Sequence, residues 1–342
     1  MKRFRRAKDI KTAVAGYSAG RFHLREMRQA GMTPVAVADL DAGRRDAAEQ
    51  DCPGIRTYGS LGEMLRKADV NLVALATPHH MHAKQAIRCL NAGWNVVTEK
   101  PFAITTAECD AMIAAAKRNG RMLSTYHNRH WDGWMLDAVQ KIRAGVIGDV
   151  VRIEAHMGGY GPPGGWWRAS KSQSGGVLFD WGVHLIEYAL QLIDSELVEV
   201  SGFAKTGFWA GQSPWKDDTN EDEATAVVRF KSGQWLSLAI SFLDSNPKQA
   251  DRGWLEITGT KGTYMMEGGS HRIITHRGPR RITTAGKSRK SEQRRFYQNI
   301  VDYLVKGEPL VITPEWARRP IHIIDLANRS AKKGAAIRAR YE

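Results

Sequence analysis

Cysteine is scarce in this chain. Its three residues, Cys52, Cys89 and Cys109, lie far apart and are odd in number. They form neither a disulfide framework nor a metal-ligand pair, and they read as buried or inert thiols of a reducing compartment. Long apolar runs are lacking too: no stretch approaches the roughly 18 consecutive apolar residues that span a bilayer, so no membrane segment is expected. The basic start, Met1-Lys2-Arg3-Phe4-Arg5-Arg6, resembles the first part of an export signal, but Lys8, Asp9 and Lys11 interrupt any apolar core behind it, and a cytoplasmic protein is expected. Acidic residues are the minority, 36 against 50 Lys and Arg, for a net charge of +14. The excess gathers at the N-terminus, at His276–Arg281, at Lys287–Arg295 and at Arg329–Arg340. No helix-turn-helix, RRM-like or zinc-finger pattern accompanies it, so the expectation is a basic surface that steers an anionic substrate, with no nucleic-acid partner.

What is present is ordinary globular composition, 42% hydrophobic and 25% charged over 342 residues, a length that suits two domains. From Lys11 to Tyr126 short apolar runs alternate with helical stretches. Thr12–Gly16, Pro34–Asp39, Asn71–Thr77 and Asn95–Thr98 read as strands; Gly20–Ala30, Ala83–Ala92 and Ala107–Asn119 read as helices. Strands apolar almost throughout, separated by helices, predict a parallel sheet covered on both faces. After Tyr126 the pattern changes. A helix near Met135–Ala144, a strand at Asp149–Ala155, a Gly/Pro loop at Gly158–Gly165 and a helix over Gly176–Ile193 precede runs of period-two alternation. In Gln234–Phe242, Leu236, Leu238, Ile240 and Phe242 fall on one face and Trp235, Ser237, Ala239 and Ser241 on the other. Ala224–Phe230, Arg252–Thr258 and Gly262–Met266 continue the series, Gly278–Lys290 reads as an exposed loop, and helix returns at Ser291–Leu304 and Arg318–Ala335. The fold class expected is α/β: an N-terminal Rossmann domain over residues 1–127, then an α+β domain over 128–342 with a large, mostly antiparallel open sheet.

Between the first strand and helix stands Ala15-Gly16-Tyr17-Ser18-Ala19-Gly20. A glycine-rich turn there lets backbone amides and a helix start meet a pyrophosphate. The fingerprint is imperfect: with Gly20 as third glycine, Ala15 and Tyr17 occupy the first two positions, and counted from Gly16 the motif is one residue short. Asp39 ends the second strand, where a carboxylate accepts from both ribose hydroxyls and repels a 2′-phosphate. NAD is therefore expected over NADP, with Arg44 and Arg45 the residues that would reach a 2′-phosphate if the preference were reversed. The competing role for Asp39 is a cap on the helix beginning near Ala42. Glu99-Lys100-Pro101 follows the strand Asn95–Thr98, which aims Lys100 at the crevice where open parallel sheets bind ligands. His79-His80-Met81-His82 is contiguous and lacks a distant partner ligand, so no metal site is expected.

These motifs, together with His23, Val37-Ala38-Asp39, Asp69-Val70-Asn71-Leu72-Val73, Ala76-Thr77-Pro78, His82-Ala83, Ala92-Gly93, Asn128-Arg129, Gly145-Val146-Ile147-Gly148 and Gly175-Gly176-Val177-Leu178-Phe179-Asp180-Trp181-Gly182-Val183-His184, resemble the family of glucose–fructose oxidoreductases, inositol dehydrogenases and rhizopine-catabolism proteins, Gfo/Idh/MocA. The resemblance runs over nearly the whole chain; Ala15 and Tyr17 are its departures. It implies an NAD(P)-dependent oxidoreductase acting on a secondary hydroxyl of a sugar, sugar derivative or inositol, in a homodimer or homotetramer. It implies a cofactor site of Gly16, Tyr17, Ser18, Ala19, Gly20, Asp39, Thr77, Pro78, His79, Glu99 and Lys100. It implies catalysis by Lys100, Asp180 and His184, with Asn128 beside the substrate.

The chemistry supports these roles. Hydride leaves a carbinol carbon only as its hydroxyl proton leaves, and an imidazole with an unperturbed pKa of about 6.5 suits that transfer. A cationic Lys100 stabilises a developing alkoxide. Asp180 and His184 are four apart, so on a helix they share a face, and Asp180 either orients the imidazole or pairs with Lys100. Trp166-Trp167-Arg168 follow a stretch too rich in glycine and proline for helix or central strand and lie shortly before Asp180. An indole packs on a sugar's C–H face and Arg168 offers fixed donors, although the indoles could equally anchor the loop. Two further functions remain open: NAD-assisted glycosidic cleavage through a transient keto-sugar, and a non-catalytic NAD-dependent regulator, which would have no use for the proton-transfer set.

Overall fold

The computed structural model describes residues 4–246 and 254–339. Lys2, Arg3, Arg340 and the start of the strand expected from Arg252 lie outside the described residues. The chain divides into two compact units, Met1–Asn128 with Arg294–Arg319, and Arg129–Gln293 with Pro320–Glu342.

The first unit alternates β1 (Lys11–Ala15), α1 (Tyr17–Gln29), β2 (Thr33–Ala38), α2 (Ala42–Asp51), β3 (Arg56–Tyr58), α3 (Leu61–Lys67), β4 (Leu72–Leu75), α4 (His82–Asn91), β5 (Asn95–Thr98), α5 (Thr106–Asn119) and β6 (Leu123–Thr125). Among the described residues these strands form one six-stranded sheet in the order β3-β2-β1-β4-β5-β6, every pair parallel. The central strands are covered by helices on both faces: β4 and β5 are buried from end to end. The helices start where the sequence supplies caps. Asp41, Ser60 and Thr105 each accept the amide three residues on, which satisfies a donor that the first turn leaves open. The strand order reverses between β1 and β4, so the crevice lies at the carboxyl ends of those strands.

The second unit holds α6 (Gly133–Arg143), β7 (Val150–Gly158), α7 (Lys171–Ser174), α8 (Gly182–Leu190), β8 (Leu197–Lys205), β9 (Glu223–Phe230), β10 (Trp235–Ser241), β11 (Trp254–Gly259), β12 (Gly262–Glu267), β13 (Ser270–Arg277) and β14 (Arg280–Lys287). After them come α9 (Arg295–Val305), which belongs to the first unit, α10 (Pro314–Lys333), within which the division falls, and β15 (Ile337–Arg338) of the second. The second sheet runs β14-β13-β12-β11-β7-β10-β9-β8-β15; β10 and β7 are parallel and the other pairs antiparallel. The alternation of β10 holds through Ile240: Leu236, Leu238 and Ile240 are buried while Trp235, Ser237 and Ala239 stay partly open, but Ser241, expected on the open face, is buried. The buried face meets α8, every residue of which is buried. Each such Leu or Ile contributes on the order of 1.5–3 kcal/mol relative to exposure.

Two expectations fail here. Gly278–Lys290 is not a loop: Arg280–Lys287 pairs along its length with β13. This edge strand is solvated on both faces, so it carries no alternation, and its basic residues guard an open edge. The helix expected over Gly176–Ile193 is broken. Gly175 and Gly176 have φ of 91° and 128°, a single 3-10 turn covers Val177–Phe179, and α8 starts only at Gly182. The cysteines are free and buried, and among the described residues no helix is long and apolar enough to cross a membrane.

Candidate active site

In the first unit the turn after β1 is built on Gly16. Its φ is +89°, and a Cβ there would stand 2.4 Å from the Ala76 carbonyl oxygen, so only glycine lets the end of β1 pass that close to the end of β4. Gly20 faces Val14, where an added Cβ would lie 3.2 Å from the side chain. Gly16 thus makes the turn and Gly20 the close helix–strand packing, with three residues between them. The helix begins directly at Tyr17, which places the amides of Ser18 and Ala19 in a first turn that has no preceding carbonyl to meet them. This is a cradle of the kind that receives a pyrophosphate, and the chain fits NAD at that position. The Tyr17 side chain points to α2, where its hydroxyl donates to Asp51 at 2.8 Å; burial and that carboxylate push the phenol up to about 12.

Asp39 is buried, and its carboxylate accepts the Tyr17 amide at 2.7 Å and the Asp41 amide at 2.9 Å. The capping role considered for it belongs to Asp41, which takes the Arg44 amide at 3.0 Å. Asp39 is therefore fixed beside the start of α1, with lone pairs still available to a ribose. Arg45 donates to the Asp39 and Leu40 carbonyls, whereas the exposed Arg44 guanidinium stands 3.8 Å from the Asp39 carboxylate. Leu40, 83% exposed, is an apolar surface beside Asp39 that sequence reasoning missed; a lone leucine after a strand gives no signal of its own.

Lys100 follows β5, its peptide bond to Pro101 is cis, and its backbone is tied down by a polar chain. The Lys100 amide donates to Glu99 Oε2 at 2.9 Å, His23 Nε2 meets Glu99 Oε1 at 3.0 Å, and His23 Nδ1 meets the Tyr297 hydroxyl at 2.6 Å. Burial pushes the Glu99 carboxyl upward, but the His23 hydrogen bond and the charges of His23 and Lys100 outweigh it and hold the group at about 2. His82 bridges the neighbouring turns, its Nδ1 2.8 Å from the Pro101 carbonyl and its Nε2 2.9 Å from that of Thr77. Thr77 donates its hydroxyl to Gln85 at 2.7 Å, and His79 is buried, its ring 5.8 Å from that of His82. Pro78 precedes the 3-10 turn His79–Met81. Among the described residues no cluster of His, Cys, Asp and Glu is arranged to hold a metal ion.

In the second unit Asp180 lies two residues ahead of α8 and His184 within its first turn; Asp180 and Trp181 both have αR backbone, so the helical path runs from Asp180 into α8. Arg168 is a partner of Asp180, Nη1 to Oδ1 at 2.5 Å. The same guanidinium lies 5.0 Å from the ring centres of both Trp166 and Trp167. His184 is 3% exposed and its ring sits 5.7 Å from that of Trp181. Trp181 is covered by the Arg129 guanidinium at 4.7 Å. Arg129 pairs with Asp132 at 3.1 Å, and Asp132 also accepts from Tyr188 of α8 at 3.0 Å and from Gln293. His130 meets the buried Glu187 of α8 at 2.6 Å. The Arg129–Asp132 segment thus clamps the helix that carries His184; only Arg129 was singled out in the sequence. Asn128 opens the 3-10 turn that leads into this clamp.

Two family models match the chain: an oxidoreductase family NAD-binding Rossmann fold over residues 10–127, and the Gfo/Idh/MocA C-terminal domain over residues 135–265. The chain belongs to the Gfo/Idh/MocA family of oxidoreductases. It is 33% identical to an uncharacterised oxidoreductase of Schizosaccharomyces pombe, over 76% of this chain and 71% of that one. It is 29% identical to the scyllo-inositol 2-dehydrogenase (NADP(+)) of Bacillus subtilis, over 55% of this chain and 53% of that enzyme, so it spans about half the length of that relative. Among solved structures, the dehydrogenase WlbA of Chromobacterium violaceum, crystallised with NADH and UDP-GlcNAcA, superposes with a TM-score of 0.83 at 19% identity, covering 100% of this chain and 99% of that one. At that identity the likeness shows the fold. The protein is an NAD-binding oxidoreductase of this family.

Proposed function

We propose that this Gfo/Idh/MocA protein moves a hydride between NAD(H) and a secondary hydroxyl or ketone of a sugar, sugar derivative or inositol. The observation that carries the reading is the His23–Glu99–Lys100 chain, which spends three buried or half-buried polar groups on fixing one lysine backbone at the carboxyl end of β5. When bound, NAD supplies the hydride acceptor or donor. Gly16 with the amides of Ser18 and Ala19 receives its pyrophosphate, Tyr17 and Gly20 shape that turn, Asp39 accepts from the adenosine ribose, and Thr77, Pro78, His79, Glu99 and Lys100 line the nicotinamide side. Asp39 disfavours a 2′-phosphate, and NAD is the preferred cofactor.

The Lys100 ammonium donates to the reacting oxygen and stabilises it as negative charge develops. His184 takes the hydroxyl proton on oxidation and returns it on reduction. Asp180, held by Arg168, presents a carboxylate to neighbouring ring hydroxyls, while Trp167 packs on the ring and Asn128 and Arg168 donate to it. The first unit, including residues 294–319, serves cofactor binding and the second unit substrate binding and self-association. The open face of the second sheet, with Phe203 and Val227 exposed on its strands, is the surface for a homodimer or homotetramer. Cofactor reduction by a panel of sugars and inositols, read as NADH fluorescence, tests the proposal; binding of NADH with no turnover of any member would reject it.

A further inference from the structure

Two loops of the second unit, residues 159–168 and 206–219, contain six aromatic rings (Tyr160, Trp166, Trp167, Phe208, Trp209 and Trp215) and not one Val, Leu, Ile or Met. Three of these rings stand in solvent: Tyr160 is 60% exposed, Trp166 58% and Phe208 52%. The loops are stitched together. The Trp215 indole donates to the Trp166 carbonyl at 3.2 Å, the Asn220 side chain donates to the Arg168 carbonyl at 2.6 Å, and Ser170 bridges to Thr219. Asp218 accepts the Ser172 amide at 2.9 Å and the Ser170 hydroxyl. The exposed rings are themselves braced, Tyr160 and Phe208 both edge-on to the buried Trp209 at 5.3 and 4.8 Å. Trp209 in turn donates its indole N–H to the Phe242 carbonyl at 3.1 Å.

Rings held rigid, with Gly, Ser, Gln, Lys and Asp between them, match the alternating C–H faces and hydroxyl edges of a pyranose chain. The Trp166–Trp167 end of these loops is continuous with the site already described: both rings lie 5.0 Å from the Arg168 guanidinium, and Arg168 holds Asp180. One ring seated against Trp167 and Asp180 leaves Trp166, Tyr160 and Phe208 with nothing to bind.

We propose that the substrate extends beyond the oxidised ring, as a glycoside or oligosaccharide of two or more pyranose units, and that Tyr160, Trp166 and Phe208 form its outer subsite. The inference rests on the carbohydrate reading and is tested apart from it. Initial rates of NADH formation are compared for glucose and galactose against maltose, cellobiose and lactose, in the wild type, Tyr160→Ala, Phe208→Ala and, as an exposed ring of the other unit, Phe22→Ala. The expected result is a higher kcat/KM for at least one disaccharide than for its monosaccharide. That ratio should fall roughly tenfold for each lost ring in the Tyr160 and Phe208 variants and stay put in the Phe22 variant. Oxidation of monosaccharides with no gain from a second ring, or a ratio indifferent to both substitutions, overturns the inference and leaves the carbohydrate reading standing. If none of these five sugars is oxidised, saturation-transfer NMR with the same disaccharides decides the platform: binding lost in Tyr160→Ala and Phe208→Ala supports it, and absence of binding overturns it. A change of oligomeric state in these variants with an unchanged sugar ratio likewise overturns it in favour of a protein interface.

Discussion

Replacing Glu99 by Gln keeps the shape of the residue that anchors the Lys100 backbone and removes its charge. In the native protein, burial works against the ionised carboxylate, but His23 and Lys100 hold its pKa at about 2 against an ordinary 4.5. At about 1.4 kcal/mol per pKa unit, that difference corresponds to roughly 3 kcal/mol of stability at neutral pH. The carboxyl is only 17% exposed, so solvent screening removes little of it. The folded-state pKa is depressed, so the contribution is complete above the unfolded value of about 4.5 and disappears as pH falls towards about 2. About half of it remains near pH 3.2. Urea unfolding of the wild type and Glu99→Gln, followed by far-UV circular dichroism from pH 7 to pH 3.5, should therefore show a deficit of about 3 kcal/mol at pH 7 that narrows below pH 4.5. A deficit that is constant across this range would mean that Glu99 acts through shape alone. A deficit below about 0.5 kcal/mol at pH 7 would mean that the His23–Glu99–Lys100 chain is not a stabilising anchor.

Two further outcomes follow from the cofactor turn. Gly16→Ala should lower stability by about 1–2 kcal/mol from left-handed backbone strain alone, and more as the Ala76 carbonyl is forced aside; it should also abolish NADH binding measured by tryptophan quenching. The wild type should bind NAD more tightly than NADP in the same titration, and Asp39→Ala should narrow or reverse the difference, because Arg44 then faces an incoming 2′-phosphate without a competing carboxylate; equal affinities in the wild type would contradict the role given to Asp39.

The fold was legible where side-chain burial imposes a period. β4 is apolar throughout, and β5 at its centre, because both faces are covered, and β10 alternates because one face is. β14 was missed for the converse reason: solvated on both faces, it has no period to read. The cofactor turn was legible as a turn but not in its register, since the choice between Ala15 and Gly16 as the first position depends on which residue meets the Ala76 carbonyl. Of the proposed catalytic residues, Asp180 and His184 were marked by the family motif, but the helix expected from Gly176 begins only at Gly182, because Gly175 and Gly176 have positive φ and lead into a 3-10 turn. Asp180 pairs with Arg168, a contact no local pattern encodes. The supporting pairs, His23 with Tyr297 and Asp132 with Arg129 and Gln293, include partners far apart in the chain and became visible only in the folded units.

The central claim is that Lys100 and His184 carry out proton and charge management for hydride transfer to or from a carbohydrate. It is tested most directly by measuring NADH formation across the sugar and inositol panel with the wild type, Lys100→Ala and His184→Ala, alongside NADH affinity for each. The account predicts turnover of at least one panel member by the wild type, a loss of about 10²–10⁴-fold in kcat in each variant, and NADH binding retained in both. Near-normal kcat in either variant, or a wild type that binds NADH and oxidises nothing in the panel, would contradict it.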